Sequence, residues 1–248
     1  MVYLIILKLF LKGGKKAVYK KQCFVFHQNK PVTCTVRSYT SNDFDELIRI
    51  QEESFPPPFP SELLWSKAQL NNHVSLFPDG ALCVEIDGTI CGSITSAIVS
   101  VEGNEAHTWD EVTGSGYIHT HDPSGNTLYV VDVCVIPSHR SMGLGKLLLQ
   151  SLYEVVIHYK LERLLGGCRI PGYASVSSLY TPVEYMNLVS AGTLYDPVMT
   201  FLMRCGRTPI GLAANYIEDE DSHNYAVLME WKNPFYTAIQ KEAGAKVF

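Results

Sequence analysis

The chain has 248 residues, 46% of them hydrophobic and 18% charged, with a formal net charge of −5. This is ordinary globular composition with room for a sizeable core, and the acidic balance argues against nucleic acid as a partner, which calls for a basic surface. Seven cysteines stand singly with no Cys-x-x-Cys pair, which excludes a disulfide framework and reads as reduced, buried thiols in a cytoplasmic protein.

Residues 1–31 read as an N-terminal extension. Val2 to Leu11 is an apolar run broken by Lys8, too short to cross a bilayer. Lys8, Lys12, Lys15, Lys16, Lys20 and Lys21 follow or interrupt it, whereas a signal peptide carries its charge ahead of the apolar run. A poorly packed extension fits better than a basic amphipathic surface segment. The domain proper is predicted over residues 32–232, with residues 233–248 as a tail. Thr33 to Arg37 alternates as a first strand. A helix capped by Ser41 or Asn42 follows, with Phe44, Leu47, Ile48 and Ile50 on its apolar face, and the Phe55-Pro-Pro-Pro-Phe-Pro run ends it. A second helix is predicted over Ser61 to His73. Ala81 to Ile86 and Thr89 to Val101 are strands joined at Asp87-Gly88, a strong hairpin signal. A long insert, about 102–126, carries His107, Trp109, His119, His121 and Asp122; inserts of that length commonly serve function.

Leu128 to Ile136 is nearly all apolar and rich in β-branched residues, as in a strand buried on both faces. Pro137 must end it. Ser138 to Met142 is a short polar loop. From Gly143, the residues Leu144, Leu147, Leu148, Leu152 and Val155 recur at helical spacing. Strand, tight loop and helix place unpaired N–H groups and the positive helix end at one spot, which suits a phosphate. Gly143 and Gly145 would let a pyrophosphate approach the backbone, with Arg140 and Lys146 adding charge. No Gly-Lys-Ser/Thr of a phosphate-binding loop follows, and the third glycine of a dinucleotide fingerprint is missing. Beyond the helix, Arg163 to Cys168 is a strand expected to run parallel to the central one, and two parallel strands that splay leave a crevice at their C-terminal ends. A second insert, about 170–195, includes a helical turn near Glu184 to Val189. Asp196 caps a helix running from Pro197 to Arg204. Thr208 to Tyr216 and Tyr225 to Trp231 are the last strands, separated by the acidic turn Glu218 to Asp221. That turn reads as solvated, with recognition of a cationic amine as the sharper alternative.

The pattern Val135-x-Pro137-x-x-Arg140-x-x-Gly143-x-Gly145-x-x-Leu148 resembles the acetyl-CoA-binding motif of the GNAT-family N-acetyltransferases. The order of elements resembles that fold too. The resemblance covers roughly residues 32–231. It implies an α/β (α+β) domain with a mixed, mostly antiparallel central sheet flanked by helices, and a splayed parallel strand pair forming the acetyl-CoA cleft. His-Thr-Trp at 107–109, His-Asp-Pro at 121–123, Gly-Cys-Arg-Ile-Pro-Gly-Tyr at 167–173 and Asp-Pro-Val at 196–198 are similar to a subgroup of these domains, some fused ahead of a carbon–nitrogen hydrolase; this chain is too short to include that second domain.

What the resemblance implies for function is transfer of an acetyl group from acetyl-CoA directly to a primary amine of a small molecule or peptide. The alternative is a non-catalytic acyl-CoA-binding or regulatory module. Acetyl-CoA and the amine are the expected partners, with a homodimer as a candidate assembly. Ser141, Met142, Gly143, Leu144, Gly145, Lys146 and Arg140 would hold the pyrophosphate, and the backbone N–H groups of Val133, Cys134 and Val135 the pantetheine arm and acyl carbonyl. Asp132, the only charge in the central strand, is a candidate base, since a carboxylate there is costly without a purpose; a structural hydrogen bond is the plainer reading. Tyr129 is a second candidate facing the cleft. The family often carries an acidic tyrosine on the helix after the fifth strand; Leu202 stands there, and Tyr173, Tyr180 or Tyr185 are candidates to replace it. Two histidines at His119 and His121 without a defined third ligand do not make a metal site, and no histidine is assignable to activate Cys134 as a nucleophile. No metal is expected.

Overall fold

The computed structural model describes residues 19–57, 59–101 and 107–237. The apolar run before residue 19 and the tail from residue 238 lie outside the described residues.

The elements follow the chain as β1 (Lys20–His27), β2 (Lys30–Ser38), α1 (Phe44–Ser54), α2 (Lys67–Leu76), β3 (Ala81–Ile86), β4 (Thr89–Val99), α3 (Trp109–Thr113), β5 (Thr127–Val135), α4 (Leu144–His158), β6 (Arg163–Arg169), α5 (Pro182–Ser190), α6 (Met199–Arg204), β7 (Thr208–Ala213) and β8 (Ala226–Lys232). The strands form one eight-stranded sheet in the order β1-β2-β3-β4-β5-β6-β8-β7. Every neighbouring pair is antiparallel except β5 and β6. This is the mixed, mostly antiparallel sheet with one parallel pair that the family resemblance implied.

The sheet starts earlier than the expected boundary at residue 32. β1 pairs with β2 over its whole length, from Lys20 opposite Arg37 to His27 opposite Lys30. The turn between them places Gln28 at φ 49° and Asn29 at φ 62°, the two successive positive angles that a tight hairpin needs. Lys21, Cys23 and Val25 turn inward while Phe24 and Phe26 face solvent. Tyr19 donates to Glu154 of α4 at 2.7 Å, and Lys21 pairs with the same carboxylate. These lysines are therefore part of an edge strand, a usual place for lysine.

The second helix also shifts. Ser61–Leu63 is only a 3-10 turn, followed by extended Leu64. α2 begins at Lys67 because Ser66 and Gln69 form a reciprocal capping box. α1 is entered through a turn at Ser41–Asp43 in which Thr40, not Ser41 or Asn42, is the capping position. The Asp87-Gly88 hairpin is as read, with both residues at positive φ.

α4 buries Leu144, Leu148, Leu149, Leu152, Val155 and Val156 and packs across β3, β4, β5 and β6. Each such side chain contributes on the order of 1.5–3 kcal/mol. Below the cleft, Arg163 of β6 pairs with Glu230 of β8 at 3.0 Å while also donating to Thr127 of β5 and to the carbonyl of Val101. This buried knot fixes the end of the sheet at which β5 and β6 are still joined.

Candidate active site

Parallel pairing of β5 with β6 runs only from Thr127–Arg163 to Tyr129–Leu165. Beyond Tyr129, β5 stays with β4, and β6 stays with β8 through Arg169–Ala226. The two strands therefore part, and the edge of β5 from Val130 onward is free of β6. A register shift against β4 pairs Ser96 with Val130 and Thr95 with Asp132, leaving Val131 bulged. The Trp109 indole N–H donates to the Val131 carbonyl at 2.9 Å. A cavity of about 190 Å³ fills the gap, walled by β5 (Val130–Val133), β6 (Gly167–Arg169), α6 and its entry (Val198, Phe201, Leu202), Gln51, Trp65, Trp109, Arg207 and Tyr216.

Asp132 lies on this wall. Gln51 of α1 donates to its carboxylate at 3.1 Å, and Gln51 is itself held by the Trp65 backbone N–H at 2.6 Å. Burial pushes the carboxyl up to about 6, against the opposing pull of Gln51 and of the Val133 N–H. Asp132 therefore has both a structural partner and a titration close to neutrality, which suits a base.

Tyr129 does not face the cleft. It is fully buried, donating or accepting at 2.7 Å with Nε2 of His107 and at 2.9 Å with the hydroxyl of Tyr216. Tyr216 is the member of that chain that reaches the cavity, and burial raises it to about 12. Its ring lies where a side chain on Gly167 would be: a Cβ there would come within 2.1 Å of the ring. Tyr173 is also away from the cavity. Its hydroxyl donates to the Tyr180 carbonyl at 3.1 Å and its ring packs on Tyr185, His223 and Tyr225. Tyr185 donates to Asp196 at 2.9 Å. Tyr173 and Tyr185 of the second insert are thus engaged in packing and hydrogen bonds away from the cleft, within the insert and against the segment before β8. Leu202 does line the cavity, so the position expected for an acidic tyrosine faces the cleft with a hydrocarbon.

The loop from Pro137 to Lys146 turns through two positive angles, Ser141 at φ 65° and Gly143 at φ 85°. A Cβ on Gly143 would meet nothing within 4 Å, so the space before it is open. The first α4 bond closes from Leu147 to Gly143, so the N–H groups of Leu144, Gly145 and Lys146 have no partner inside the helix. Met142 and Leu144 bury their side chains, which anchors the loop. Gly145 has a different reason from the one expected: a Cβ there would lie 3.1 Å from Phe201, so the glycine lets α6 close on α4. Arg140 folds back, donating to the carbonyls of Val135 at 3.1 Å and Ser54 at 3.2 Å, and braces the loop against β5 and α1. Lys146 is exposed. Cys134 is buried, its thiol within 3.5 Å of Ser93 and pushed up to about 12 by burial, a poor nucleophile. His121 accepts the Ile98 N–H at 3.1 Å and stacks on Phe77, while His119 stacks on Tyr117. Among the described residues no three His, Cys, Asp or Glu gather as for a metal.

Gln51, Arg207 and Tyr216 are the cleft residues that sequence reasoning missed. A glutamine inside the apolar stripe of α1 was a signal for the first. Nothing local marked the other two.

The acetyltransferase (GNAT) family model matches residues 44–177. The chain is 51% identical over 217 residues to the Bacillus subtilis protein named Uncharacterized N-acetyltransferase YkwB, covering 87% of this chain and 96% of that one. It is 34% identical over 207 residues to Bacillus subtilis "Probable hydrolase YhcX", covering 83% of this chain and 40% of that longer protein. Among solved structures, the GphF GNAT-like decarboxylase in complex with isobutyryl-CoA superposes with a TM-score of 0.67 at 24% identity, covering 80% of this chain and 98% of that one; this similarity is one of fold.

Proposed function

The chain belongs to the acetyltransferase (GNAT) family and is an acyltransferase, and from that premise we propose that it moves an acetyl group from acetyl-CoA directly to a primary amine. The observation that carries the reading is the parting of β5 from β6 beyond Tyr129. It frees a strand edge that leads straight to the unpaired N–H groups at the start of α4.

The residues present fit the coenzyme. The N–H groups from Gly143 to Lys146 would take the pyrophosphate, before the open face of Gly143. The free β5 edge at Val133, Cys134 and Val135 would hold the pantetheine arm and polarise the acyl carbonyl. When bound, acetyl-CoA supplies the acyl group as an activated thioester. Asp132 takes the proton from the attacking amine; with its midpoint near 6, it is ionised at neutral pH and ready to accept. Tyr216, backed by Tyr129 and His107, supplies a proton to the leaving sulfur. Trp65, Trp109 and Phe201 exclude water around them.

The amine has its own approach. A second cavity of about 280 Å³ lies between the proline run (Phe55, Pro56, Pro57, Phe59, Pro60) and the acidic turn Glu218–Asp221, sharing Phe55, Phe59 and Arg169 with the cleft. Asp219 is taken up by Arg169 at 2.8 Å, and the other carboxylates favour a cationic amine. The seven cysteines are all unpaired, in keeping with work in the cytoplasm, and no helix among the described residues is long and apolar enough to cross a membrane.

Calorimetric titration of the purified protein with CoA and with acetyl-CoA tests the coenzyme site, followed by a free-thiol assay over a panel of amines. Micromolar binding and amine-dependent thiol release are expected. A folded sample that binds neither would sink the reading.

A further inference from the structure

Arg207 stands between α6 and β7 and is 3% exposed. It forms no ion pair among the described residues. One Nη donates to the Met229 carbonyl of β8, and its Nε has no hydrogen-bond partner there. The ionisable groups that face it are Tyr153, Cys168, Tyr129, Tyr216 and Cys205. Burial raises each of them, so all are neutral at physiological pH. A guanidinium cannot shed its proton in a protein. The chain therefore keeps an uncompensated buried cation, an arrangement that is costly unless a partner arrives.

Its position says where that partner comes from. Arg207 lines the cleft. A Cβ on Gly166 would sit 3.1 Å from Val130 and 3.4 Å from the Arg207 Nη2, so the guanidinium lies at the closed end, one residue beyond the last β5–β6 pair. The start of α4 lies at the other end. From Val135 back to Val130 is five strand residues, roughly 16 Å. A pantetheine arm laid along β5 from the α4 loop would deliver its acyl end toward Arg207, not the reverse.

We infer that the acyl donor this cleft selects is a short carboxyacyl-CoA, a thioester whose acyl group ends in a second carboxylate seated on Arg207. The inference rests on the coenzyme site proposed above and puts a carboxyacyl group in place of acetyl as the preferred donor. An acetyl group would leave the guanidinium as it stands now, with an open donor and no counter-charge. A carboxylate of malonyl or succinyl size meets both needs, through a charge-assisted hydrogen bond to the fork. Val130, Gly167 and Phe201 beside it carry no charge; the other charged residues of the cleft are Asp132, held by Gln51, and Arg169, paired with Asp219.

The test is calorimetry on the full chain with CoA, acetyl-CoA, malonyl-CoA and succinyl-CoA, in the wild type and in Arg207→Met and Arg207→Lys. At least one carboxyacyl ester is expected to bind tenfold or more tightly than acetyl-CoA. Arg207→Met should bring that ratio close to one, and Arg207→Lys should restore part of it. Equal affinities for all acyl forms in the wild type, with CoA itself binding, would overturn the assignment and leave the coenzyme site standing. A preference that survives in Arg207→Met would also overturn it. Failure of CoA to bind would remove the coenzyme reading and this inference together. The wild-type ratio decides the matter even if a variant does not fold.

Discussion

Replacing Asp132 by Asn separates stability from activity at one atom. Burial raises this carboxyl from the ordinary aspartate value of 3.8 to about 6. The folded protein therefore holds the proton more tightly than the unfolded chain does. The associated stability is fully present below about pH 4 and is lost as pH rises through 6. Two units at about 1.36 kcal/mol each put the burden of the ionised carboxylate on the fold at about 3 kcal/mol. Asparagine keeps the shape and can still accept from Gln51 Nε2, the bond seen at 3.1 Å, without the charge. Asp132→Asn should therefore be more stable than the wild type by about 3 kcal/mol at pH 8. The gap should narrow by about 1.4 kcal/mol at pH 5, one unit below the midpoint. Urea unfolding at the two pH values measures both. The same variant should lose about 100-fold or more in kcat/KM, because the base is gone. The wild-type rate should climb through pH 6, and the residual rate of the variant should not. A variant that is less stable than the wild type at pH 8, or that keeps its rate within threefold, would refute the assignment.

Tyr216→Phe removes the one hydroxyl of the Tyr216–Tyr129–His107 chain that reaches the cavity; kcat should fall about 10–100-fold with KM little changed, and an unaltered alkaline limb in the pH profile would count against it as the acid. Gly143→Val puts a β-branched residue at φ 85°, a conformation such residues resist; CoA affinity should fall more than about tenfold by calorimetry while circular dichroism stays that of the wild type. Glu230→Gln breaks a buried pair whose members are 3.0 Å apart and should cost about 3–5 kcal/mol in urea unfolding, whereas Arg163→Met with Glu230→Leu should recover most of it.

The parts of the fold that the sequence disclosed are those with local causes. Pro137 stops β5, Asp87-Gly88 makes a hairpin, and the leucine spacing after Gly143 makes α4; each signal lies within a few residues of its effect. β1 escaped because its turn is Gln28-Asn29, which adopts positive angles without a glycine, and because lysines on an edge strand look like a solvated run. α2 was misplaced by five residues or so because two serines compete to cap it, and only Ser66 has Gln69 at the position that returns the bond. Tyr129 was legible as part of a strand buried on both faces, but not as turned away from the cleft, since its partners His107 and Tyr216 come from an insert and from beyond β7. Arg207 meets the cleft only through the pairing of β6 with β8, across about sixty residues of chain. No window of sequence contains that relation.

Leu202 ties these observations together. Its side of the cleft, α6, is where an acidic tyrosine would be expected, and the structure places a leucine at the wall. Beside it, Phe201 presses on Gly145, so α6 here serves to close the coenzyme loop with hydrocarbon. The phenol of the cleft comes instead from the β6 side. Gly167, by lacking a side chain, admits the Tyr216 ring, and Tyr216 passes the connection through Tyr129 to His107. Arg207 sits beside the same phenols. A tyrosine on α6 would bring a hydroxyl into the cleft from the side that now packs; the phenol on β6's side brings it next to a buried cation. A phenol near a guanidinium gives up its proton more readily, and burial opposes this. The two influences meet at one hydroxyl. Leu202, the bare backbone at Gly167 and the buried Arg207 thus shape one cleft, with hydrocarbon on the α6 wall and a phenol beside a cation on the β6 side.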